Sequence, residues 1–190
     1  MDRKTTTQFL NKVLERDRLS GIGKYWAKEV SIDPWAAKGK PKRIDYMQFV
    51  PENQCSIAAI EKGIFICYEV KSCVQDVYSG NGLNFLGEKN YIVTTMECYK
   101  KLIPDLNGGK FTNHMLECNS DSSHHYGILV AVPYFRELEE EFENPTPIDA
   151  DQRWRLKSVR KCITGPRKKS MTELLFCMLR SGRDCERCSE

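Results

Sequence analysis

The sequence predicts an α/β domain built on a mixed central β-sheet flanked by helices. Three observations carry that expectation. Strand-like alternations and helical stripes interleave along the chain rather than falling into separate blocks. The segment Gly63 to Lys71 alternates cleanly, with Ile64, Ile66, Tyr68 and Val70 on one face and Phe65, Cys67, Glu69 and Lys71 on the other. Finally, 190 residues with 41% hydrophobic content are enough for one sizeable core.

Each element follows from local pattern. Thr5 to Arg18 reads as a helix, with threonine hydroxyls at its start and Phe9, Leu10, Val13 and Leu14 at helical spacing. Gly21 and Gly23 end it. Lys24 to Ile32 alternates as a strand, broken by Asp33-Pro34, and the turn Gly39-Lys40-Pro41 leads to a partner strand, Arg43 to Val50. Pro51 to Ile60 is a polar connection with some helical potential. A glycine-rich stretch (Gly80, Gly82, Gly87) follows the Gly63–Lys71 strand and reads as a flexible loop bordering any site there. Asn90 to Thr95 is a strand, Met96 to Ile103 a helix closed by Pro104, and Tyr126 to Val132 a strand buried by its composition. Ser170 to Gly182 carries a capping box, Ser170 with Glu173, and a stripe of Met171, Leu174, Leu175, Met178 and Leu179. Residues 1–135 make the core, and 136–190 an extension of the same domain.

Charge segregates near the end of the chain. Glu137 to Asp151 holds seven acidic residues and no basic one, whereas Arg153 to Lys169 holds eight basic residues and no acidic one. Net charge is only +3, which excludes a polybasic nucleic-acid wrapper but allows a local basic face. No apolar run approaches the roughly 18 residues of a membrane span, and no hydrophobic signal core opens the sequence. Nine cysteines form an odd set, several inside apolar runs, so reduced thiols and a cytoplasmic setting are expected.

The residues that suggest chemistry are Glu29, Asp45, Glu69 and Lys71. Glu69 and Lys71 are two apart on a strand and project from one face. Asp45 lies inside Arg43-Ile44-Asp45-Tyr46-Met47, where a charge is costly unless a cation pairs with it. Clustered carboxylates suit Mg²⁺ or Mn²⁺, and a neighbouring lysine can orient an attacking water and stabilise developing phosphorane charge. Together these are the parts of a phosphodiester hydrolase.

An upstream Glu29, then Asp45 on a strand, then Glu69-Val70-Lys71 on the next strand resembles the PD-(D/E)xK, or restriction-endonuclease-like, nuclease superfamily, without the proline of its name, since Ile44 precedes Asp45. Tyr68-Glu69-Val70-Lys71-Ser72, Asp76 and Gly87-Glu88-Lys89-Asn90-Tyr91-Ile92-Val93 are similar to small nuclease-like proteins grouped with the DNA-repair protein MmcB and to phage and mobile-element proteins. The resemblance spans roughly residues 5 to 132. It implies a restriction-endonuclease-like sheet, with Asp45, Glu69, the main-chain carbonyl of Val70 and the accessory Glu29 as ligands of Mg or Mn. It also implies Lys71 as the catalytic lysine, Gln75 and Asp76 as polar support, DNA as the favoured substrate, and a bacterial cell, with phage origin, as the setting. A homodimer is the simplest way for such a domain to make double-strand breaks.

Other features have a plain and a functional reading. Arg153, Trp154, Arg155, Arg167, Lys168 and Lys169 suit a phosphate backbone and a stacked base, or else a solvated face paired with the acidic block. Cys185-Glu186-Arg187-Cys188, with Cys162 upstream, has thiolate spacing for Zn²⁺, although a tail of reduced cysteines is the commoner outcome. His124-His125 reads as a loop pair. The expected function is a metal-dependent nuclease. The alternative is a catalytically inactive nuclease-fold module that binds nucleic acid or a protein partner in an accessory or inhibitor role.

Overall fold

The computed structural model describes residues 2–32, 42–118 and 125–187, with side chains through Ser181. The expected Asp33-Pro34 break, the 39–41 turn, His124 and Cys188 lie outside the described residues, as does the side chain of Cys185. Along the chain run α1 (Arg3–Leu14) with a π-helical turn (Glu15–Leu19), β1 (Tyr25–Ile32), β2 (Lys42–Val50), α2 (Ile57–Glu61), β3 (Ile64–Val70) and α3 (Val74–Val77). Then follow β4 (Lys89–Thr95), α4 (Met96–Asn107), α5 (Lys110–Cys118), β5 (Gly127–Pro133), α6 (Leu138–Glu143), β6 (Trp154–Arg160) and α7 (Met171–Arg187).

The six strands form one mixed sheet in sequence order, β1 to β6. β1–β2, β2–β3 and β5–β6 are antiparallel, whereas β3–β4 and β4–β5 are parallel. Helices cover both faces, as a sheet with a parallel centre requires. The alternation of β5 shows how. Leu129 and Ala131 pack toward α1 with Leu10, Val13, Leu14 and Trp154. Ile128, Val130 and Val132 pack toward α4 and α5 with Leu102, Phe111 and Met115. α7 covers the far end of that second face, where Leu174, Cys177 and Met178 meet Met47, Phe49 and Phe65. Fully burying side chains of this kind stabilises by about 1.5–3 kcal/mol each before entropy is counted.

Several local expectations are corrected. Asp2, rather than a threonine, caps α1, accepting from the Thr5 N–H at 2.7 Å. Threonines 6 and 7 instead bond back to the carbonyls of Asp2 and Arg3. α4 runs through Pro104 to Asn107, because the proline sits in the last turn and Gly108 N–H still reaches its carbonyl at 2.8 Å. On α7, Cys177 takes the inward place expected of Leu179, which is 72% exposed. α5, α6 and β6 were not visible as elements in the sequence pattern.

Candidate active site

The site forms where β2 and β3 part. Their ladder ends at Tyr46↔Tyr68. One step further the register would set Asp45 opposite Glu69, but no backbone pair forms there. The Asp45 carboxylate takes over, with Oδ2 accepting the Val70 N–H at 2.8 Å. On the other side, the β1–β2 register passes from Lys28↔Tyr46 to Val30↔Ile44, which leaves Glu29 across from Asp45 and unpaired. Glu29 has φ +50°, in the left-handed region that non-glycine residues rarely occupy. This local break lets Ala27 and Met47 before it, and Val30 and Ile44 after it, enter the same apolar cluster despite the pleat. Three strands thus deliver Glu29, Asp45 and Glu69 to one cleft of about 880 Å³.

Glu69 is the unusual member. It is 1% exposed, and neither carboxylate oxygen has a hydrogen-bond partner of normal geometry. Burial, reinforced by the Asp45 charge, pushes its pKa well above the usual 4.5. The Lys71 charge and the Asn84 backbone N–H oppose that rise only in part. Asp45 is also raised, by burial first, against the Val70 N–H bond and Lys71. Glu29 is raised by burial against Arg43, with which it makes an exposed ion pair at 2.7 Å.

Lys71 is 3% exposed and rigidly placed. Its N–H donates to Val93 O at 2.9 Å, and its carbonyl accepts from Thr94 Oγ1 at 2.6 Å. Its ammonium donates to the Asn81 carbonyl at 2.6 Å. The glycine-rich loop therefore lies directly against the site. A Cβ at Gly82 would come 2.5 Å from Glu69 Oε2 and 3.1 Å from Lys71 Nζ. One wall of the cleft is a helical stripe, Arg3, Thr7 and Asn11, at four-residue spacing on α1. Lys28, Lys42 and Arg43 add positive charge from β1 and β2.

The donor set fits a hard divalent cation in kind: it is all oxygen, and Glu69 offers two buried oxygens without a hydrogen bond of normal geometry. Val70 lines the same cleft. Among the described residues, however, no three His, Cys, Asp or Glu side chains close around a point as a formed metal site. Asp45 and Glu69 are the pair the cleft supplies, with Glu29 tied to Arg43 at its rim.

Other expected site residues lie elsewhere or serve the fold. Asp76 is buried; its Oδ2 accepts from both the N–H and the hydroxyl of Ser72 at 3.1 Å, and its Oδ1 is paired with Arg3. It lines the same cleft as Asp45 and Glu69 and fastens α1 to the loop after Lys71. Gln75 is exposed and borders a separate cleft of about 590 Å³ beside the start of α4.

The basic block does not form a stacking surface. Trp154 is 5% exposed and packs edge-on against Phe9, with ring centroids 4.9 Å apart, so it has no face to offer a base. Arg155 and Lys157 reach Glu137 at 3.4 and 2.5 Å, and Arg153 lies over the Tyr134 ring. Arg167 pairs with Glu88, Lys169 with Glu173, and the Lys168 N–H donates to Leu86 O. The two basic runs thus belong to different neighbourhoods. Cys162 sits at the end of β6, its sulfur accepting the Asn90 N–H at 3.3 Å, while Cys177 is buried in the α7 core. A zinc site with Cys185 and Cys188 falls on side chains outside those described. Sequence reading did not single out Arg3, Thr7, Asn11 or Asn81; only the neighbouring glycines signalled that a loop borders the site.

No family model and no curated protein matches this chain. A solved structure, the SPO1766 protein of unknown function from Silicibacter pomeroyi, is similar over 97% of this chain and 92% of that one, at 15% identity and a TM-score of 0.48. Fold and site together define a mixed α/β protein with a buried carboxylate–lysine cleft where two strands diverge. Among the described residues no helix is long and apolar enough to cross a membrane.

Proposed function

We propose that the chain is a metal-dependent nuclease of the PD-(D/E)xK type, hydrolysing phosphodiester bonds with Asp45, Glu69 and Lys71. The observation that carries this reading is Glu69, a carboxylate buried without a hydrogen-bond partner of normal geometry between Asp45 and Lys71. Such an arrangement destabilises the empty protein and rarely persists without a use. Asp45, Glu69 and the Val70 carbonyl would hold Mg²⁺ or Mn²⁺, with Glu29 as an accessory. When bound, such an ion lowers the pKa of a coordinated water and neutralises phosphate charge.

The chain's own residues do the rest. Asp45, by accepting the Val70 N–H, fixes the end of β3 and so the direction in which Glu69 and Lys71 point. The Lys71 ammonium orients the attacking water and offers its positive charge to the developing oxyanion. Lys28 and Arg43 are held by partly exposed ion pairs to Glu15 and Glu29, and Arg3, itself largely exposed, by its pair to Asp76. Exposed pairs are worth little, so these cations can exchange a carboxylate for a substrate phosphate. DNA is the substrate favoured by the sequence resemblance, in a cytoplasmic, phage-related setting.

The test is cleavage of labelled single-stranded, duplex and branched DNA and of RNA with Mg²⁺ or Mn²⁺, comparing wild type with Glu69→Ala and Lys71→Ala. Loss in both variants and with chelator supports the reading. Cleavage undiminished in the variants removes it. The absence of a formed three-ligand group among the described residues favours a second reading, an inactive module that binds nucleic acid. Binding without cleavage in either metal would select it.

A further inference from the structure

Lys71 and Glu69 are oppositely charged neighbours in one cleft, yet they do not bond. Neither oxygen of Glu69 has a hydrogen-bond partner of normal geometry. The lysine spends its ammonium on the Asn81 carbonyl instead, at 2.6 Å. Asn81 belongs to a short strap whose lower end is anchored. Leu83 and Phe85 are each 1% exposed in the core beside α4 and α5, and Asn84 Nδ2 donates to the Arg43 carbonyl at 2.8 Å. The next residue, Gly82, has φ +77° and occupies the space over Glu69 that any side chain would fill.

We infer that Asn81 and Gly82 are positioning residues of this site: the Asn81 main-chain carbonyl draws the Lys71 ammonium away from Glu69, and the bare Cα of Gly82 keeps the Glu69 oxygens open to a divalent cation. The inference rests on the nuclease reading. Its physical basis is competition. A buried lysine free to swing would neutralise Glu69, and the carboxylate would then have to give up an ion pair before accepting a metal. A main-chain carbonyl achieves the separation whatever side chain residue 81 bears. The role of Gly82 is steric, since a methyl group built there lies 2.5 Å from Glu69 Oε2, so the carboxylate would have to turn away from its present position to admit it.

The experiment measures Mn²⁺ binding to the purified full-length protein by titration calorimetry, in wild type, Gly82→Ala and Gly80→Ala. Gly80 also has positive φ, at +71°, but a Cβ there meets nothing within 4 Å. It imposes the same kind of backbone strain without the clash. The expected result is at least a tenfold weaker affinity in Gly82→Ala and a change within about twofold in Gly80→Ala, both with wild-type circular dichroism. Equal affinity in wild type and Gly82→Ala overturns the strap assignment while leaving the nuclease reading standing. No Mn²⁺ binding by wild type overturns that reading and the assignment with it. If Gly82→Ala does not fold, hydrogen exchange of wild-type residues 79–84 decides: slowing on adding Mn²⁺ supports the strap, and no change overturns it.

Discussion

Two polar regions of this molecule look alike in sequence and differ in kind. The strand-end cleft and β6 both set charged side chains beside aromatic ones. On β6 those charges are engaged: Arg155, although its buried Nε lacks a partner, and Lys157 meet Glu137, Arg153 lies on Tyr134, and the one tryptophan is core. In the cleft, Glu69 is buried with no hydrogen bond of normal geometry to either oxygen. A dense run of charge therefore says little about function. An ionisable group removed from water without a partner says much more, because folding alone gives no reason to keep it.

The largest effect expected from this contrast is on catalysis. Glu69→Ala or Lys71→Ala should lower the cleavage rate by about 10²- to 10⁴-fold, the range for losing a positioned acid–base or charge-stabilising group. Steady-state cleavage at fixed metal concentration reads it. A rate that falls instead when Arg155 and Lys157 are replaced would reverse the comparison.

Trp154→Ala sharpens the contrast from the other side. As a core residue packed on Phe9, it should cost about 3–5 kcal/mol in urea unfolding. Were it a base platform, the loss would appear in affinity at unchanged stability, at about 1–3 kcal/mol.

Legibility followed the range of the forces involved. The alternation of β3, the hairpin partner carrying Asp45 and the stripe of α1 are local patterns, and the sheet follows them closely. β6 was hidden because its outward Arg155 and Lys157 dominate the composition, although Trp154 and Leu156 alternate inward. α6 was hidden because its residues are acidic and its one buried side chain, Glu141, is held by Arg136. In the cleft, the three carboxylates and the lysine were readable as residue types. Their states were not. That Glu29 adopts positive φ, that Asp45 replaces a ladder bond, and that Lys71 answers to Asn81 all depend on contacts between separate elements.

The Glu69 environment also predicts a pH dependence. Its folded pKa lies above its usual 4.5, so the folded metal-free protein holds that proton more tightly than the unfolded chain. The resulting stability is fully present below about pH 4.5 and is lost as pH rises through the folded value. Glu69→Gln should remove that decline, so thermal midpoints of wild type and variant, compared without metal, should diverge as pH rises, with the variant the more stable. Midpoints that stay parallel from pH 4.5 to 9 would mean that Glu69 has a partner in solution.

The smallest effect is expected on β6. If Arg155 and Lys157 face Glu137 rather than substrate, then Arg155→Gln with Lys157→Gln should leave nucleic-acid affinity within about twofold, because partly exposed ion pairs contribute little. The salt dependence is the more telling measurement. Each lost phosphate contact flattens the slope of log affinity against log salt by about 0.7 to 0.9, so a true binding face would lose roughly 1.5 from two residues. Lys28→Gln with Lys42→Gln, on the rim of the cleft, should show that flattening where the β6 pair does not. The reverse pattern would move the substrate from the strand-end cleft to β6 and separate the place of binding from the place where Glu69 is buried.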